Sequence, residues 1–210
     1  MFIDQVSRRG AVVATVAATL APVEPARAQP RDSYWMRAPM RYIPQFTIDT
    51  PPSKTTIELA MSPFCPDCAR FVLSSLLPFL KKKSLADGSQ AIFHQFARTE
   101  SDVAMMKELL SYQRDKLIAI SLKVMTNMHN NQRVLKGPHE VADAARSVGA
   151  KKDPSFDAGV AEAAVRKLNQ LMATKIGVAA TPTLFVNGHM IGFVTSTADL
   201  TGAIAKFGKA

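Results

Sequence analysis

Hydrophobic positions in the first half of the chain follow two patterns in turn. Residues 55–61 form a continuous β-branched and apolar run, which predicts a buried strand. Apolar residues then recur every three or four positions, which predicts one face of a helix. Pro78 lies inside this helix, so we expect a kink there. A second strand is predicted over 91–97. The members of the helical face are Ala69, Val72, Leu73, Leu76, Leu77 and Leu80.

The pattern changes over residues 99–175, where the spacing predicts helices and no strand. Ser101 is the expected N-cap of one long helix that extends to Met125. The Gly137-Pro138 break precedes a short helix around 141–148, and a further helix follows it. This segment is therefore predicted to be an all-helical insertion.

Strands return near the C-terminal end. A short apolar strand is predicted over 181–186 and a partner strand over 189–194. Asn187-Gly188 between them is a strong signal for a tight hairpin turn. A last helix is predicted over 198–207. The order is βαβ, helices, ββα, which predicts an α/β fold with a helical insertion. The predicted segments are 55–98 for the first half of the fold, 99–175 for the insertion and 176–210 for the second half.

The N-terminal region has the features of an export signal. Arg8-Arg9 supplies positive charge, residues 10–20 are small and apolar, and Ala26-Arg27-Ala28 is a cleavage motif. Residues 1–28 are therefore predicted to be removed on export. The paired arginines also favour the twin-arginine route. The alternative is a membrane anchor, for which the apolar run is about half the ~20 residues required.

Composition and charge narrow the function classes. The 210 residues include 26 Lys and Arg against 17 Asp and Glu, a net charge of +9. The bases are spread along the chain, and the densest run, 81–83, falls where a helix is expected to end. No nucleic-acid partner is predicted. Residues 29–54 are rich in Pro and Arg and predict an extended arm, with a short strand around 45–48.

Both cysteines lie in one motif, Cys65-Pro66-Asp67-Cys68. The loop that they close is too short to constrain the unfolded chain much. At a strand-to-helix junction, the helix dipole favours a thiolate at Cys65. We therefore expect Cys65 to be the exposed nucleophile and Cys68 the shielded, resolving thiol. Pro66 stiffens the turn, and the negative charge of Asp67 is expected to raise the pKa of Cys65.

The rival interpretation of this motif is half of a zinc site. Zinc needs two further ligands at a regular spacing. The four histidines, at 94, 129, 139 and 189, are scattered and give no such pair. The sequence therefore predicts a redox pair, no metal site and no dissociable cofactor.

Two segments together carry a resemblance to a known family. The run from Glu58 to Cys68, and the downstream run 179–188 with its Thr181-Pro182, are similar to those of the DsbA-type branch of the thioredoxin-fold superfamily. The resemblance extends from about residue 55 to the end. It implies a thioredoxin fold with a helical insertion and a cis bond before Pro182. It also implies that this bond faces the cysteines and offers Thr181 as a platform for extended clients.

Three departures from that family bear on the chemistry. Strongly oxidising members have His at the position of Asp67. The family's buried acid lies six residues before the first cysteine, where this chain has Leu59, with Glu58 one residue earlier. Either a bulge turns Glu58 toward the site, or Glu58 is a solvent-facing strand residue. Thr181 is closer to the isomerases and some reductases. His94, in the second strand, is expected to be a core or edge histidine.

The sequence thus predicts a periplasmic thiol–disulfide oxidoreductase that donates disulfides to cysteine-containing exported proteins. The resemblance implies a quinone-linked membrane partner that reoxidises it, or a reducing partner if it works in the opposite direction. One alternative is a thiol reductase or isomerase that uses the same cysteines. The other, from a different class, is a periplasmic metal-binding or chaperone module.

Overall fold

The computed structural model describes residues 46–48, 55–81 and 90–208, with the backbone alone for 46–48 and Gln90. The predicted export signal and most of the predicted arm lie outside these residues. The strands are β1 (Phe46–Ile48), β2 (Thr56–Met61), β3 (Gln90–Gln95), β4 (Thr183–Val186) and β5 (His189–Phe193). The helices are α1 (Pro66–Phe71), α2 (Glu100–Leu110), α3 (Leu117–Asn131), α4 (Pro138–Ser147), α5 (Ala158–Leu171) and α6 (Thr197–Phe207).

The strands form one five-stranded sheet in the order β1-β3-β2-β4-β5. β2 runs parallel to β3 and antiparallel to β4, while β1 and β5 are antiparallel edge strands. This is the predicted α/β arrangement, including the short strand before residue 55. All six residues of β2 are buried, as expected for a central strand covered on both faces.

The two faces of the sheet have separate cores. Ile57, Leu59 and Met61 of β2 pack in one core with both cysteines and with residues of all six helices. Ala60, between them in sequence, packs instead with residues of α5 such as Ala164. Successive residues of a strand point to opposite faces, so this alternation fixes which β2 side chains lie on the cysteine side.

The helix after the cysteines is irregular before Pro78. α1 passes into a π-helical turn, Val72–Leu76, in which the Leu77 N–H donates to the Val72 carbonyl. Helix resumes over 77–81. The predicted irregularity thus takes the form of a π turn, in which the hydrogen-bond register shifts by one residue just before the proline that has no N–H to donate.

The helical block, defined here as α2 to α5, differs from the prediction at its start. The prediction of one long helix is wrong, because α2 ends at Leu110 and α3 begins at Leu117. The N-cap of α2 is Thr99 and not Ser101: the Thr99 side chain accepts from the Asp102 N–H. Asn169 of α5 attaches the block to the sheet. Its side chain donates to the Ala97 carbonyl at 2.8 Å and accepts from the Ala97 N–H at 3.0 Å.

The hairpin between β4 and β5 follows the sequence prediction. Asn187 and Gly188 both have positive φ, of 49° and 82°, as a tight two-residue hairpin turn requires. The Asn187 side chain accepts from the Thr56 N–H and donates to the Phe207 carbonyl. The turn thereby ties β2 to the end of α6. Within the described residues, no helix is long and apolar enough to span a membrane.

Candidate active site

The cysteine motif lies where β2 ends and α1 begins. Cys65 is the N-cap of α1, and Pro66 occupies the first turn, where its missing N–H costs no helical hydrogen bond. The Cys65 N–H donates to the Ser62 carbonyl at 3.1 Å, which closes the turn that presents the cysteine. The strand-to-helix junction that the sequence predicted is therefore present.

Both thiols are free and buried. Cys65 is 1% exposed and Cys68 is fully buried. The prediction that Cys65 is exposed is wrong for this conformation, because the residue packs into the core on the α1 side of the sheet. A partner sulfur must therefore displace part of its surroundings to reach Cys65.

The two thiols nevertheless differ strongly in acidity. The pKa of Cys65 is lowered to about 5, and the hydrogen bond with the Cys68 thiol is the largest cause. Burial opposes this shift, while Thr181, the Cys68 backbone and the positive charge of Arg98 add to it. Burial raises the pKa of Cys68 well above its ordinary value, and the contact with Cys65 raises it further. At neutral pH the pair therefore carries one thiolate, on Cys65, and one proton, on Cys68.

Thr181 and Pro182 face this pair from the other half of the sheet. Their peptide bond is cis, which is the geometry that the resemblance implies. Sγ of Cys65 lies 3.7 Å from the Thr181 carbonyl, to which the protonated form of the thiol donates. The Thr181 hydroxyl is buried and has no hydrogen-bond partner within the described residues. It also lowers the pKa of both cysteines, so its contact is with the sulfurs.

Asp67 lies on the outer side of the motif. Its carboxylate forms an ion pair with Arg70 at 3.3 Å, and the two side chains are 46% and 61% exposed. Exposed pairs of this kind are screened by solvent. The nearby Arg70 therefore offsets part of the negative charge that Asp67 adds beside Cys65.

Glu58 fits neither of the two placements expected from the sequence. It is 4% exposed, so it is not a solvent-facing residue. It also shares the face of Ala60 and not that of the cysteines, so no bulge turns it toward them. Its carboxylate instead lies 2.9 Å from Nε2 of the buried His94 on β3.

Sequence reasoning missed a polar network on the other flank of the cysteine turn. Asp102, in the first turn of α2, is 3% exposed. Its Oδ2 accepts from the Arg98 N–H at 3.0 Å, from Arg98 Nε at 3.1 Å and from the Ser62 hydroxyl at 3.3 Å. The Ser62 hydroxyl in turn accepts from the Phe64 N–H at 3.2 Å. No sequence spacing signals these contacts, since Ser62 and Asp102 are forty positions apart.

The remaining candidates from the sequence, a histidine, a metal site and the methionines, do not add to the cysteine site. His189 is exposed and stacks on Phe207 at a ring distance of 4.6 Å. Within the described residues, no group of three or more His, Cys, Asp or Glu side chains is placed to hold a metal ion. The methionines of the helical block are buried in the core; they are Met105, Met106, Met125 and Met128.

Comparisons with known proteins agree with this fold. Residues 44–206 match the model of the thioredoxin family. Among curated proteins, none matches the sequence significantly.

Several solved structures share the architecture at low identity. A protein-disulfide isomerase from Novosphingobium aromaticivorans has a TM-score of 0.59 at 14% identity, over 77% of this chain and 96% of that one. A periplasmic thioredoxin-like protein from Salmonella enterica serovar Typhimurium has a TM-score of 0.59 at 20% identity, over 77% and 88%. Alpha-DsbA1 from Wolbachia pipientis has a TM-score of 0.62 at 16% identity, over 78% and 90%. With its family model matched over most of its length and its fold shared with DsbA-like structures, this chain belongs to the thioredoxin family.

Proposed function

We propose that the chain is an exported thiol–disulfide oxidoreductase that donates disulfides to cysteine-containing proteins in the periplasm. One observation carries this proposal. A buried thiol at a helix N-terminus, Cys65, has its pKa lowered to about 5, while the thiol that hydrogen-bonds to it, Cys68, stays protonated. A stabilised thiolate favours the reduced pair, so the disulfide form gives up its bond readily.

The proposed reaction is a two-step exchange. A client thiolate attacks Sγ of the oxidised Cys65, which forms a mixed disulfide and breaks the Cys65–Cys68 bond. Cys68 leaves with the electron pair and takes up a proton. A second client thiolate then attacks the client sulfur of the mixed disulfide, which releases Cys65 as a thiolate and leaves a client disulfide. The client dithiol loses two electrons, the Cys65–Cys68 disulfide gains them, and each client proton goes to Cys68 or to solvent.

Thr181 and Pro182 are proposed as the client platform. An extended client segment beside Thr181 would hydrogen-bond to the Thr181 backbone, as an added strand does at a sheet edge. This would place the client cysteine next to Cys65. The Thr181 carbonyl lies 3.7 Å from Sγ of Cys65, so a client bound there competes for the group that the thiol now contacts. This competition is the proposed route by which the buried sulfur becomes accessible.

The expected reduction potential follows from the acidity of Cys65. Thioredoxin combines a cysteine pKa of about 7 with a potential near −270 mV, and DsbA combines about 3.5 with about −120 mV. A pKa of about 5 lies between them. The expected potential therefore lies between these two values, above the roughly −300 mV below which structural disulfides typically fall. A pair in that range gives up its disulfide to client thiols more readily than thioredoxin does.

The test is a redox titration of the purified full-length chain in graded glutathione buffers. A potential well above about −270 mV, together with net oxidation of a reduced two-cysteine peptide, supports the proposal. A value at or below about −270 mV favours the reductase alternative, and failure to oxidise the peptide at a higher potential favours the isomerase alternative, to which Thr181 also points. A pair that forms no reversible disulfide refutes the enzyme and makes the metal-binding or chaperone alternative the next to test. C65S is the control, since it leaves no nucleophile to exchange.

The redox partner is proposed by chemistry. A donor is reduced in each cycle, so a quinone-linked membrane oxidant has to restore its disulfide. A protein that works as a reductase needs a reducing partner instead. Export to the periplasm, by the twin-arginine or the general route, is proposed from the N-terminal signal and from the periplasmic protein of the same fold.

A further inference from the structure

We propose that Arg98 supplies the positive charge that the Cys-Pro-Asp-Cys turn lacks, and that Asp102 is a positioning residue that holds Arg98 beside the cysteines. The inference rests on the proposed function, because it concerns one contribution to the thiolate stability that disulfide donation requires. Neither residue belongs to the motifs that identify the family, and neither is adjacent in sequence to a cysteine.

The first step concerns charge. Within the motif the charged side chain is Asp67, whose sign disfavours a thiolate. Arg98 donates to the carboxylate of Asp102, which also accepts from Ser62 of the cysteine turn, so it is a cation beside that turn. Its charge acts in the opposite sense: after the contacts with Cys68 and Thr181, it adds to the lowering of the pKa of Cys65. The effect is mutual. Burial lowers the pKa of Arg98, but the negative charges of Cys65 and Asp102 outweigh burial and raise it.

The second step concerns position. Asp102 accepts from the backbone N–H and from Nε of Arg98, which fixes both ends of that side chain's stem. The same oxygen accepts from Ser62, and Ser62 accepts through its carbonyl from the Cys65 N–H. Hydrogen bonds therefore link the guanidinium to the cysteine turn through one buried carboxylate. Bonds to ionised groups are about twice as strong as neutral ones, which makes this link a rigid one.

The third step concerns what remains available. The Arg98 side chain is about one third exposed, while that of Asp102 is 4% exposed. Within the described residues, the hydrogen bonds of the Arg98 guanidinium go to Asp102 through Nε. The N–H groups of its two terminal nitrogens therefore remain able to donate. A guanidinium also retains its positive charge at any working pH.

The position of Asp102 allows a test by sign. If Asp102 acted only through its own charge, its removal would take a negative charge away from the thiolate and lower the pKa of Cys65. If it acts by holding Arg98, its removal releases the cation and raises that pKa. The groups around Cys65 that enter this balance are Cys68 on α1, the Thr181 hydroxyl before β4, the exposed Asp67–Arg70 pair, and Arg98 with Asp102.

The experiment titrates Cys65 in the reduced full-length chain by thiolate absorbance at 240 nm. R98Q is expected to raise the midpoint by up to about one unit, and by less than C68A does, because Arg98 is the smaller cause of the lowered pKa. It is also expected to lower the equilibrium constant for reduction of the Cys65–Cys68 disulfide by glutathione, by up to about tenfold. D102A is expected to shift both in the same direction. In the R98Q background, D102A should produce no further rise, because there is no longer a cation to hold. R98K is expected to recover part of the R98Q loss.

R146Q is the matched control. Arg146 pairs with Asp143 at 2.8 Å on the exposed face of α4, so its replacement removes the same charge from an exposed ion pair outside the network around Cys65. It should leave the midpoint unchanged. If D102A does not unfold cooperatively, D102N keeps the shape of the side chain and tests the same sign.

An unchanged or lower midpoint in R98Q refutes the role of Arg98. A lower midpoint in D102A or D102N refutes the positioning role and leaves Asp102 as an ordinary negative charge. These outcomes are separate from failure of the proposed function, because the thiolate can be titrated even in a chain that forms no reversible disulfide.

Discussion

Ionisation of Cys65 should make the free energy of unfolding of the reduced chain depend on pH, and this dependence should disappear when Cys65 is replaced. Its pKa falls from an ordinary value of 9.0 to about 5 on folding. A group with a depressed pKa stabilises the folded state fully above its unfolded pKa, and that stability is lost as the pH falls to the folded pKa. The window is therefore pH 5 to 9, and stability rises through it.

The magnitude follows from linkage. Each unit between the two pKa values corresponds to about 1.4 kcal/mol, so ionisation of Cys65 contributes about 2.7 kcal/mol at pH 7. Between pH 6 and pH 8 the contribution grows by about 2.7 kcal/mol. Cys68 does not disturb this window. Its pKa is raised, so its contribution is fully present below pH 9 and changes only above it.

The assay is urea unfolding of the reduced chain at pH 6, 7 and 8, with C65A as the reference. Both proteins share every other titrating group, so the difference between their pH slopes isolates Cys65. We expect the free energy of unfolding of the native chain to rise relative to C65A by about 2.7 kcal/mol over this range. Equal slopes would refute the assignment of the thiolate to Cys65, as would an alkylation midpoint near pH 8.5 to 9.

Three further predictions concern the surroundings of the site. C68A removes the thiol that contributes most to the acidity of Cys65, so the midpoint of the thiolate absorbance titration should rise. In C68S, which keeps a hydrogen-bond donor, the midpoint should rise less. Equal midpoints in C68A and C68S would contradict this cause. T181V should also raise the midpoint, because the Thr181 side chain lowers the pKa of Cys65; an unchanged midpoint would contradict that contact. E58A should lower the free energy of unfolding, measured in urea, by about 3 kcal/mol, because it leaves His94 without this partner. E58L/H94L, which replaces both residues, should lower it by less. A larger loss of stability in the double variant would contradict a paired role.

The sequence was a good guide wherever a pattern is local. The apolar run of β2, the Asn187-Gly188 turn and the cysteine motif each carry their own backbone requirements, and each lies where it was predicted. The position of Pro182 opposite the cysteines came from resemblance and not from the residues themselves. Its cis bond depends on the surrounding fold, since the residue pair alone permits either isomer.

The break between α2 and α3 shows why other features were not predictable. The segment after Leu110 contains neither Gly nor Pro, and its apolar spacing continues into the next helix. The helix stops because its backbone pairs with a distant segment instead. The Gln113 N–H donates to the Lys151 carbonyl, and the Asp153 N–H donates to the Ser111 carbonyl. Such pairing is a tertiary effect that no local period encodes.

The same reason applies to the charged groups. Which face Glu58 occupies depends on the register of β2, and its partner His94 comes from another strand. Arg98 and Asp102 reach the cysteines because the chain leaves β3 and enters α2 at the same end of the sheet as the cysteine turn. Their spacing in sequence is that of an ordinary helix start. The departure of Asp67 from the oxidising family members was visible in the sequence, whereas the cation across the turn was not.

The attachment of the helical block to the sheet limits how this protein can be recombined. The Asn169 side chain hydrogen-bonds to both the N–H and the carbonyl of Ala97, and the Asp102 carboxylate accepts from the N–H of the next residue, Arg98. The block is therefore not an interchangeable module that can be grafted between relatives at its sequence boundaries. A chimera that exchanges it also exchanges the groups that fix the residues next to the thiols. Such a chimera should inherit part of its donor's redox character even though both cysteines come from the recipient.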